Sequence, residues 1–554
     1  MKWFWFLHIN SSLVLVPLLT GFAGAIVPLV DSHKDRVKSL PGYDAPLPSA
    51  WYSGFLDYEI NGQQIHTHYI LIEAERPSSS STGTPTPLIY WSNGGPGASS
   101  MFGLLSELGP LLLSDDSIKT DSYRETGLPT LFYNAKSWTR LGHLLIFDAP
   151  APVGYSYCNA NPNDTVACVS WTDELASLNA YRALQTFYKT KFPVLQHTPL
   201  YLTGESYAGI YIPTLARRIV EGNDAVNENA NARENQNDDN LSVNLKGFAV
   251  GDGCLGTETG ICGSLSSNSR FDYWLVLFLA GHGQIPLSTF EHIVDACKND
   301  RHGHHDQSPT NENQGQSRRL GTTTDATTAT KVQTHDACQD ALDILEAQVG
   351  GYYEYALYDE CGARNGLLSS ASPYKGAEND YPCGGGVVMN DYVDLPQVKE
   401  ALHVINATFY SVDNAENFDY TPTEKDLSGF YASLAKGNQA LKMLVYNGDT
   451  DPAITSFAAQ NWTSKLGLAV LEEWRPWTVD GCQQMGGYVT RYQGGLDFLT
   501  IRGAGHLVPT YKPAAAFRFI QSWIEGTEYP RFNKSCVPNV DEESGPMEVE
   551  VLRK

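Results

Sequence analysis

The chain has 554 residues, of which 42% are hydrophobic, and its 62 acidic and 38 basic side chains give a formal net charge of −24 at pH 7. A surface of this sign argues against nucleic acid or an anionic membrane as a partner. It suits an acidic compartment or the cell exterior, where protonation relieves repulsion between carboxylates. Beyond the first 25 residues no run of about 18 apolar residues occurs, so the sequence predicts no membrane span.

The N-terminal segment 1–25 has the layout of a secretory signal peptide. Lys2 supplies a basic start, an apolar stretch covers 13–19, and the small residues at 23–25 form a cleavage site. The predicted mature chain therefore begins at Ile26 and enters the secretory pathway.

Cysteines and glycosylation sequons support the same compartment. An even number of cysteines in a secreted chain favours disulfides over metal binding, and the absence of C-x-x-C pairs argues against a zinc site, so we expect no metal and no cofactor. The ten cysteines are at 158, 168, 254, 262, 297, 338, 361, 383, 482 and 536. The N-x-[ST] sequons, which predict glycosylated surface positions, are Asn163, Asn240, Asn406, Asn461 and Asn533.

Short apolar runs alternate with helical periodicity along much of the chain. This alternation predicts an α/β fold with a mostly parallel central sheet and helices on both faces. We assign the first part of this core to 26–250 and the second part to 386–530. The predicted strands are 88–91, 143–148, 199–203, 245–250, 442–446 and 496–501, and the main helices are 172–191 and 210–221.

The segment 251–385 departs from this pattern and holds six of the ten cysteines. We expect it to form a disulfide-rich insertion, or cap, over the carboxyl edge of the sheet. Its polar loop 300–335 is predicted to be disordered, and the dibasic pair Arg318-Arg319 within it is a candidate cleavage site. Residues 531–554 form an acidic C-terminal tail.

The sequence GESYAG at 204–209 is typical of a nucleophile elbow. It places Ser206 between a predicted strand and a predicted helix, with glycine at the turn and small residues where helix and strand must approach. The helix N-terminus then directs backbone N–H groups toward the reacting oxygen.

Candidates for the other members of a catalytic triad follow in the order serine, acid, histidine. Asp449 and Asp451 both lie after the strand 442–446. We prefer Asp451, because the earlier residue better suits turn formation through its own side chain. His506 follows the last predicted strand and is flanked by small residues, as a catalytic base needs to be.

A glycine-rich loop, WSNGGPGASS at 91–100, follows the predicted strand 88–91. Backbone N–H groups exposed there can form an oxyanion hole. Glycine loops also bind phosphate, but no lysine stands at the P-loop spacing, so a nucleotide site is disfavoured.

Together these blocks resemble the serine carboxypeptidases, a family of secretory exopeptidases. The resemblance covers about 45–530 and includes 91–100, 107–110, 148–157, 204–209, 447–451 and 503–509. It implies an α/β-hydrolase fold, peptide or protein C-termini as substrates, and serine catalysis at acidic pH.

The resemblance also implies a role for each matching residue. Ser206 would be the nucleophile, His506 the base and Asp451 its orienting acid. The backbone N–H groups of Gly95 and Tyr207 would form the oxyanion hole. The substrate carboxylate would be bound by Asn93, Gly94, Glu107 and Glu205, with the two glutamates protonated because like charges raise each other's pKa.

Two alternatives stay open at this point: an acyltransferase of the same fold, and an inactive binding or protective protein. Ala98 stands where the family usually has cysteine, so one familial disulfide cannot form. Leu507 favours apolar C-terminal residues as substrates. The predicted location is the cell exterior or a vacuole or lysosome.

Overall fold

The computed structural model describes residues 34–75, 85–159, 168–232, 241–261, 272–298, 336–359, 386–410, 418–437 and 441–536. Several predictions from the sequence lie outside these residues. They are the signal peptide, Asn163, Asn240, the loop 300–335 with its dibasic pair, and the tail beyond 536.

A single large sheet organises the described residues. In chain order the strands are β1 Arg36–Val37, β2 Trp51–Ile60, β3 Gln63–Ile72, β4 Leu88–Ser92, β5 Leu111–Leu112, β6 Phe132–Tyr133, β7 His143–Phe147, β8 Tyr157–Cys158, β9 Trp171–Thr172, β10 Leu200–Glu205, β11 Leu245–Gly251, β12 Tyr420–Thr421, β13 Lys442–Gly448, β14 Val470–Thr478, β15 Met485–Tyr492 and β16 Leu496–Ile501.

The centre of the sheet is parallel, in the order β7-β4-β10-β11-β13-β16. These six strands are the six predicted from the sequence pattern, and their bounds agree with the prediction within about two residues. Their residues are nearly all buried, as expected for strands covered on both faces. Antiparallel strands extend the sheet on each side, β3 and β2 beyond β7 and β15 and β14 beyond β16.

The helices are α1 Met101–Gly103, α2 Asp121–Thr126, α3 Asp173–Thr186, α4 Ala208–Ala232, α5 Tyr273–Gly281, α6 Leu287–Ala296, α7 Ala337–Val349, α8 Gly386–Asp394, α9 Pro396–Ala401, α10 Ser428–Lys436, α11 Ser456–Ser464, α12 Val508–Tyr511 and α13 Pro513–Glu525. Two π-helical turns, Leu104–Leu108 and Phe187–Lys191, continue α1 and α3. None of the helices in the described part of the chain is long and apolar enough to cross a membrane.

Two hydrophobic cores cover the two faces of the sheet. One packs α3, α4, α10 and α11 against the strands, and the other packs α8, α12, α13 and the turn Leu104–Leu108 on the opposite face. The predicted architecture, a mostly parallel sheet between two helical layers, is confirmed.

Helices α5, α6 and α7 share a smaller core of their own, built around Phe278, Ile293 and Ala341. The disulfide Cys297–Cys338 joins the end of α6 to the start of α7. After α7 the chain returns to the carboxyl edge of the sheet, where the N–H of Leu357 donates to the carbonyl of Thr450 at 2.9 Å. The extent of the insertion, 251–385, stays a prediction.

Two further disulfides, Cys158–Cys168 and Cys482–Cys536, are described, and Cys254 is also disulfide-bonded. Of the sequons, Asn406 and Asn533 are exposed and Asn461 is partly exposed. Glycan attachment at these three positions stays a prediction.

Candidate active site

Ser206 occupies a sharp turn between β10 and α4. Its φ of 61° lies in the left-handed region, a strained conformation for a residue with a side chain. The turn is held by backbone hydrogen bonds, since Ser206 N–H donates to Gly251 at 3.0 Å and its carbonyl accepts from Gly209 at 2.9 Å and Cys254 at 3.0 Å. Gly209 is required there, because a Cβ would lie 2.2 Å from the Cys254 carbonyl oxygen. Ser206 is partly exposed while its neighbours are buried.

Asp451 and His506 follow the adjacent strands β13 and β16. The Oδ2 of Asp451 is 2.8 Å from the Nδ1 of His506, and both side chains are buried. Backbone N–H groups of Ala453 and Ile454 hold the two oxygens of Asp451 at 2.8 and 3.3 Å. Asp449 points elsewhere and accepts the N–H of Gly503 at 2.6 Å. Of the two candidate acids, the structure brings Asp451 to the histidine.

Tyr355 also contacts His506, and sequence reasoning missed it. Its ring stacks on the imidazole with centroids 4.8 Å apart and planes inclined by 23°. Its carbonyl accepts the N–H of His506 at 2.7 Å. No spacing or motif marks this tyrosine, because it reaches the site from the segment after α7.

The glycine-rich loop lies directly beside the elbow. A Cβ on Gly94 would lie 2.3 Å from the backbone nitrogen of Tyr207 and 2.9 Å from the Cβ of Ser206. Gly95 has a φ of 105°, which favours glycine. The structure therefore places the predicted oxyanion residues Gly95 and Tyr207 in two segments that meet at Ser206.

Asn93 joins two glutamates beneath this loop. Its Nδ2 donates to Oε1 of Glu107 at 3.1 Å and to Oε1 of Glu205 at 2.9 Å. Its Oδ1 accepts from the indole of Trp91 at 2.9 Å and the N–H of Gly103 at 3.0 Å. These two donors fix the amide orientation, so the Asn93 NH₂ must face the carboxyl groups. We call Asn93, Glu107 and Glu205 the carboxyl clamp.

Both glutamates of the carboxyl clamp are buried and favour the neutral form. Burial raises the pKa of Glu107 to about 7, although hydrogen bonds from Asn93 and Glu205 oppose the shift. Burial, and then the charge of Glu107, raise the pKa of Glu205 well above its ordinary value. With both groups ionised, the Oε2 atom of each is buried without a donor among the described residues. A proton shared between the two groups supplies that donor.

A second serine–histidine–aspartate chain lies elsewhere in the core. Ser53 Oγ is 2.9 Å from His68 Nε2, and His68 Nδ1 is 2.7 Å from Asp148 Oδ2. All three residues are fully buried, and the Ser53 hydroxyl donates to the carbonyl of Leu402 at 2.6 Å. This chain therefore has the connectivity of a triad but no substrate access, and it links strands of the core.

Asp252 is the second residue near the site that sequence reasoning missed. It is fully buried and follows β11, the strand between those that carry Ser206 and Asp451. A signal was present, because an acidic residue between two glycines directly after a buried strand lies at the edge where this fold places its site. Within the described residues, no group of three or more histidine, cysteine or acidic side chains could hold a metal ion.

Comparisons with known proteins identify the family to which this chain belongs. The family model described as serine carboxypeptidase matches residues 41–526. Serine carboxypeptidase 1 of Hordeum vulgare is 26% identical over 539 residues, which cover 89% of this chain and 93% of the relative. The lysosomal protective protein of Mus musculus is 29% identical over 512 residues, which cover 90% of this chain and 94% of the relative.

A prohormone-processing carboxypeptidase from Saccharomyces cerevisiae has a similar fold, with a TM-score of 0.60 at 19% identity, covering 89% of this chain and 95% of that structure. The α/β-hydrolase architecture implied by the resemblance is thereby confirmed. Because the family model spans most of the sequence, the chain belongs to the serine carboxypeptidase family and is a serine-type carboxypeptidase.

Proposed function

We propose that the enzyme removes C-terminal amino acids from peptides and proteins at acidic pH by acyl-enzyme hydrolysis. The observation that carries the proposal is the carboxyl clamp, a buried pair of proton-sharing glutamates beside a partly exposed serine at a strained turn. A general esterase has no need for such a pair, whereas an exopeptidase must recognise a free carboxylate next to the scissile bond.

The clamp can bind a carboxylate when its glutamates are protonated. Asn93 occupies one oxygen of each glutamate, so the remaining oxygens carry the shared proton. A substrate carboxylate adds a third carboxyl group beside the two glutamates. When both glutamates are protonated, two hydrogen bonds connect the three carboxyl groups in series. Glu107 donates to Glu205, and Glu205 donates to the substrate. The N–H of Gly94 is a further donor in this proposal.

The acylation step uses Ser206, His506 and Asp451. The Oγ of Ser206 attacks the scissile carbonyl carbon while Nε2 of His506 takes the hydroxyl proton. Asp451 holds Nδ1–H of His506, which fixes the tautomer and stabilises the imidazolium. The N–H groups of Gly95 and Tyr207 stabilise the oxyanion.

Collapse of the tetrahedral intermediate completes acylation, and deacylation then returns the enzyme to its starting state. Protonated His506 gives its proton to the leaving amine, so the C–N bond breaks and the C-terminal amino acid departs. In deacylation, water attacks the acyl-enzyme while Nε2 of His506 accepts a proton from it. His506 then gives that proton to Oγ of Ser206 as the ester bond breaks, and the shortened peptide leaves with a new carboxyl group.

The proposed location is an acidic compartment of the secretory pathway or the acidic exterior. Disulfides in the described residues support passage through that pathway. The need for a protonated clamp and the net charge of −24 support low pH. A preference for apolar C-terminal residues is part of the proposal.

The test compares an N-blocked dipeptide with its C-terminal amide at pH 5. The proposal expects release of the C-terminal amino acid from the free acid and much slower cleavage of the amide. Ser206→Ala should abolish activity, whereas Ser53→Ala, in the buried chain of the core, should retain it in folded protein. Equal rates on both substrates would contradict the proposal. Transfer of the acyl group to an added alcohol in preference to water would identify an acyltransferase instead.

A further inference from the structure

Asp252 lies between the strands that position Ser206 and Asp451. Its backbone N–H donates to the carbonyl of Tyr446 at 2.8 Å, and its φ is 42°. Its Oδ1 accepts from Nδ2 of Asn447 at 3.2 Å and from the N–H of Gly448 at 3.0 Å. The side chain is fully buried, so these contacts fix it in one place at the base of the site.

Gly448 joins Asp252 to Asp451, because its N–H donates to Oδ1 of Asp252 at 3.0 Å and its carbonyl accepts the N–H of Asp451 at 3.4 Å. The two carboxyl groups lie within reach of each other, and a hydrogen bond between them requires a proton on one of them. Asp451 faces three donors: Nδ1–H of His506 and the backbone N–H groups of two residues in its own turn. Asp252 has an amide and one backbone N–H. The larger number of donors favours Asp451 as the anion and leaves the proton on Asp252.

The groups that face Asp252 from neighbouring elements also disfavour a negative charge there. Burial, and then the charge of Asp451, raise the pKa of Asp252 well above its ordinary value, against the effect of the Gly448 N–H. The charge of an ionised Asp252 would also act on Glu205 and on the buried hydroxyl of Tyr446. That hydroxyl has no hydrogen-bond partner among the described residues and cannot offset the charge.

We propose that Asp252 is a positioning residue that stays protonated and donates a hydrogen bond to Asp451, which in turn orients His506. The inference rests on the proposed function and deepens it. A neutral donor fixes the rotamer of Asp451 and disperses its charge without adding a second one. The base of the site then contains two carboxyl pairs that each share a proton, Glu107 with Glu205 and Asp252 with Asp451.

The test measures the pH dependence of kcat/KM for Asp252→Ala and Asp252→Asn. Alanine removes the donor, so Asp451 holds protonated His506 more strongly. We expect kcat to fall about tenfold, because one hydrogen bond to a charged group is lost. We also expect the acid limb of the kcat/KM profile to move to higher pH. Asparagine keeps the shape, donates from its NH₂ and tolerates a positive φ. We therefore expect it to restore kcat to within about threefold of wild type, with the acid limb unmoved.

The asparagine variant separates the two protonation states of Asp252. If Asp252 were ionised, Asp252→Asn would remove a negative charge near His506, and the acid limb would move to lower pH by about one unit. That shift would overturn the proposal. A pH profile of kcat/KM for Asp252→Ala that is identical to the wild-type profile would also overturn it. Tyr446→Phe is the matched control, since it alters a buried group of the same cluster without removing a hydrogen bond seen among the described residues.

A readout without turnover keeps the inference distinct from the proposed function. The proton on Nδ1 of His506 gives a downfield NMR signal, which should be similar in wild type and Asp252→Asn and displaced in Asp252→Ala. An enzyme that hydrolyses no blocked dipeptide would refute the proposed function and leave this measurement valid. If Asp252→Ala does not fold, the acid limb and the NMR signal of Asp252→Asn decide the question alone.

Discussion

Glu107→Gln tests how the carboxyl clamp depends on protonation. Wild-type enzyme needs a proton on both glutamates to bind a substrate carboxylate, and burial raises the pKa of Glu107 to about 7. Above that pH the fraction of competent enzyme falls tenfold per unit. At pH 8, kcat/KM for a free-acid substrate should therefore be roughly tenfold below its plateau, which corresponds to about 1.4 kcal/mol.

The glutamine cannot ionise, but it can still accept from Asn93 and donate to Glu205. Only the proton on Glu205 is then needed, and burial holds the pKa of that group well above its ordinary value. We expect the basic limb of kcat/KM to move upward by at least about one pH unit in Glu107→Gln.

The assay follows release of the C-terminal amino acid from pH 4 to 9, with the dipeptide amide as the substrate control. Glu473→Gln removes an exposed acid on the edge strand β14 and is the matched charge control. The amide has no carboxylate for the carboxyl clamp to bind, so its kcat/KM should not decrease near pH 7 in wild type or in either variant. A basic limb that stays near pH 7 in Glu107→Gln would refute the shared-proton account.

Other predictions concern the remaining groups of the site. Asp451→Asn should lower kcat by a factor on the order of 10³ with unchanged melting temperature, and a loss below tenfold would argue against its orienting role. Gly94→Ala should lower kcat/KM at least ~100-fold, because its Cβ would lie 2.3 Å from the backbone nitrogen that the oxyanion hole uses; wild-type kinetics would contradict that geometry. Tyr355→Ala should lower kcat about tenfold through loss of the ring stacked on His506, and Tyr355→Phe should retain it. The free energy of unfolding should decrease between pH 4.5 and 7, because Glu107 keeps a proton in the folded state that it has lost in the unfolded chain. Protonated Glu107 contributes roughly 3 kcal/mol to stability at low pH. Scanning calorimetry should show that the melting temperature of Glu107→Gln depends less on pH than that of wild type.

The sequence by itself determined the parallel core and the identity of the main candidates. Each depends on local chemistry that a short stretch of chain carries. A buried parallel strand is a continuous apolar run in the sequence. The turns that follow three of these strands contain glycine or other small residues, at Gly94, beside Ser206 and beside His506. Chain order and turn chemistry nominated Ser206 and His506 and favoured Asp451 over Asp449. The role of Gly94 was implied by the resemblance to the serine carboxypeptidases.

The tertiary structure alone decided how these groups share protons and contacts. Tyr355 comes from a segment with no motif of its own, and the glycines beside Asp252 mark only the edge of the sheet. Folding brings these residues to His506 and Asp451. The orientation of Asn93 depends on donors from Trp91 and from the backbone. The burial of a side chain also depends on residues that are distant in sequence. Burial separates the accessible Ser206 from the fully enclosed Ser53, and it raises the pKa of Glu107 and Glu205, which would be ionised at neutral pH on the surface.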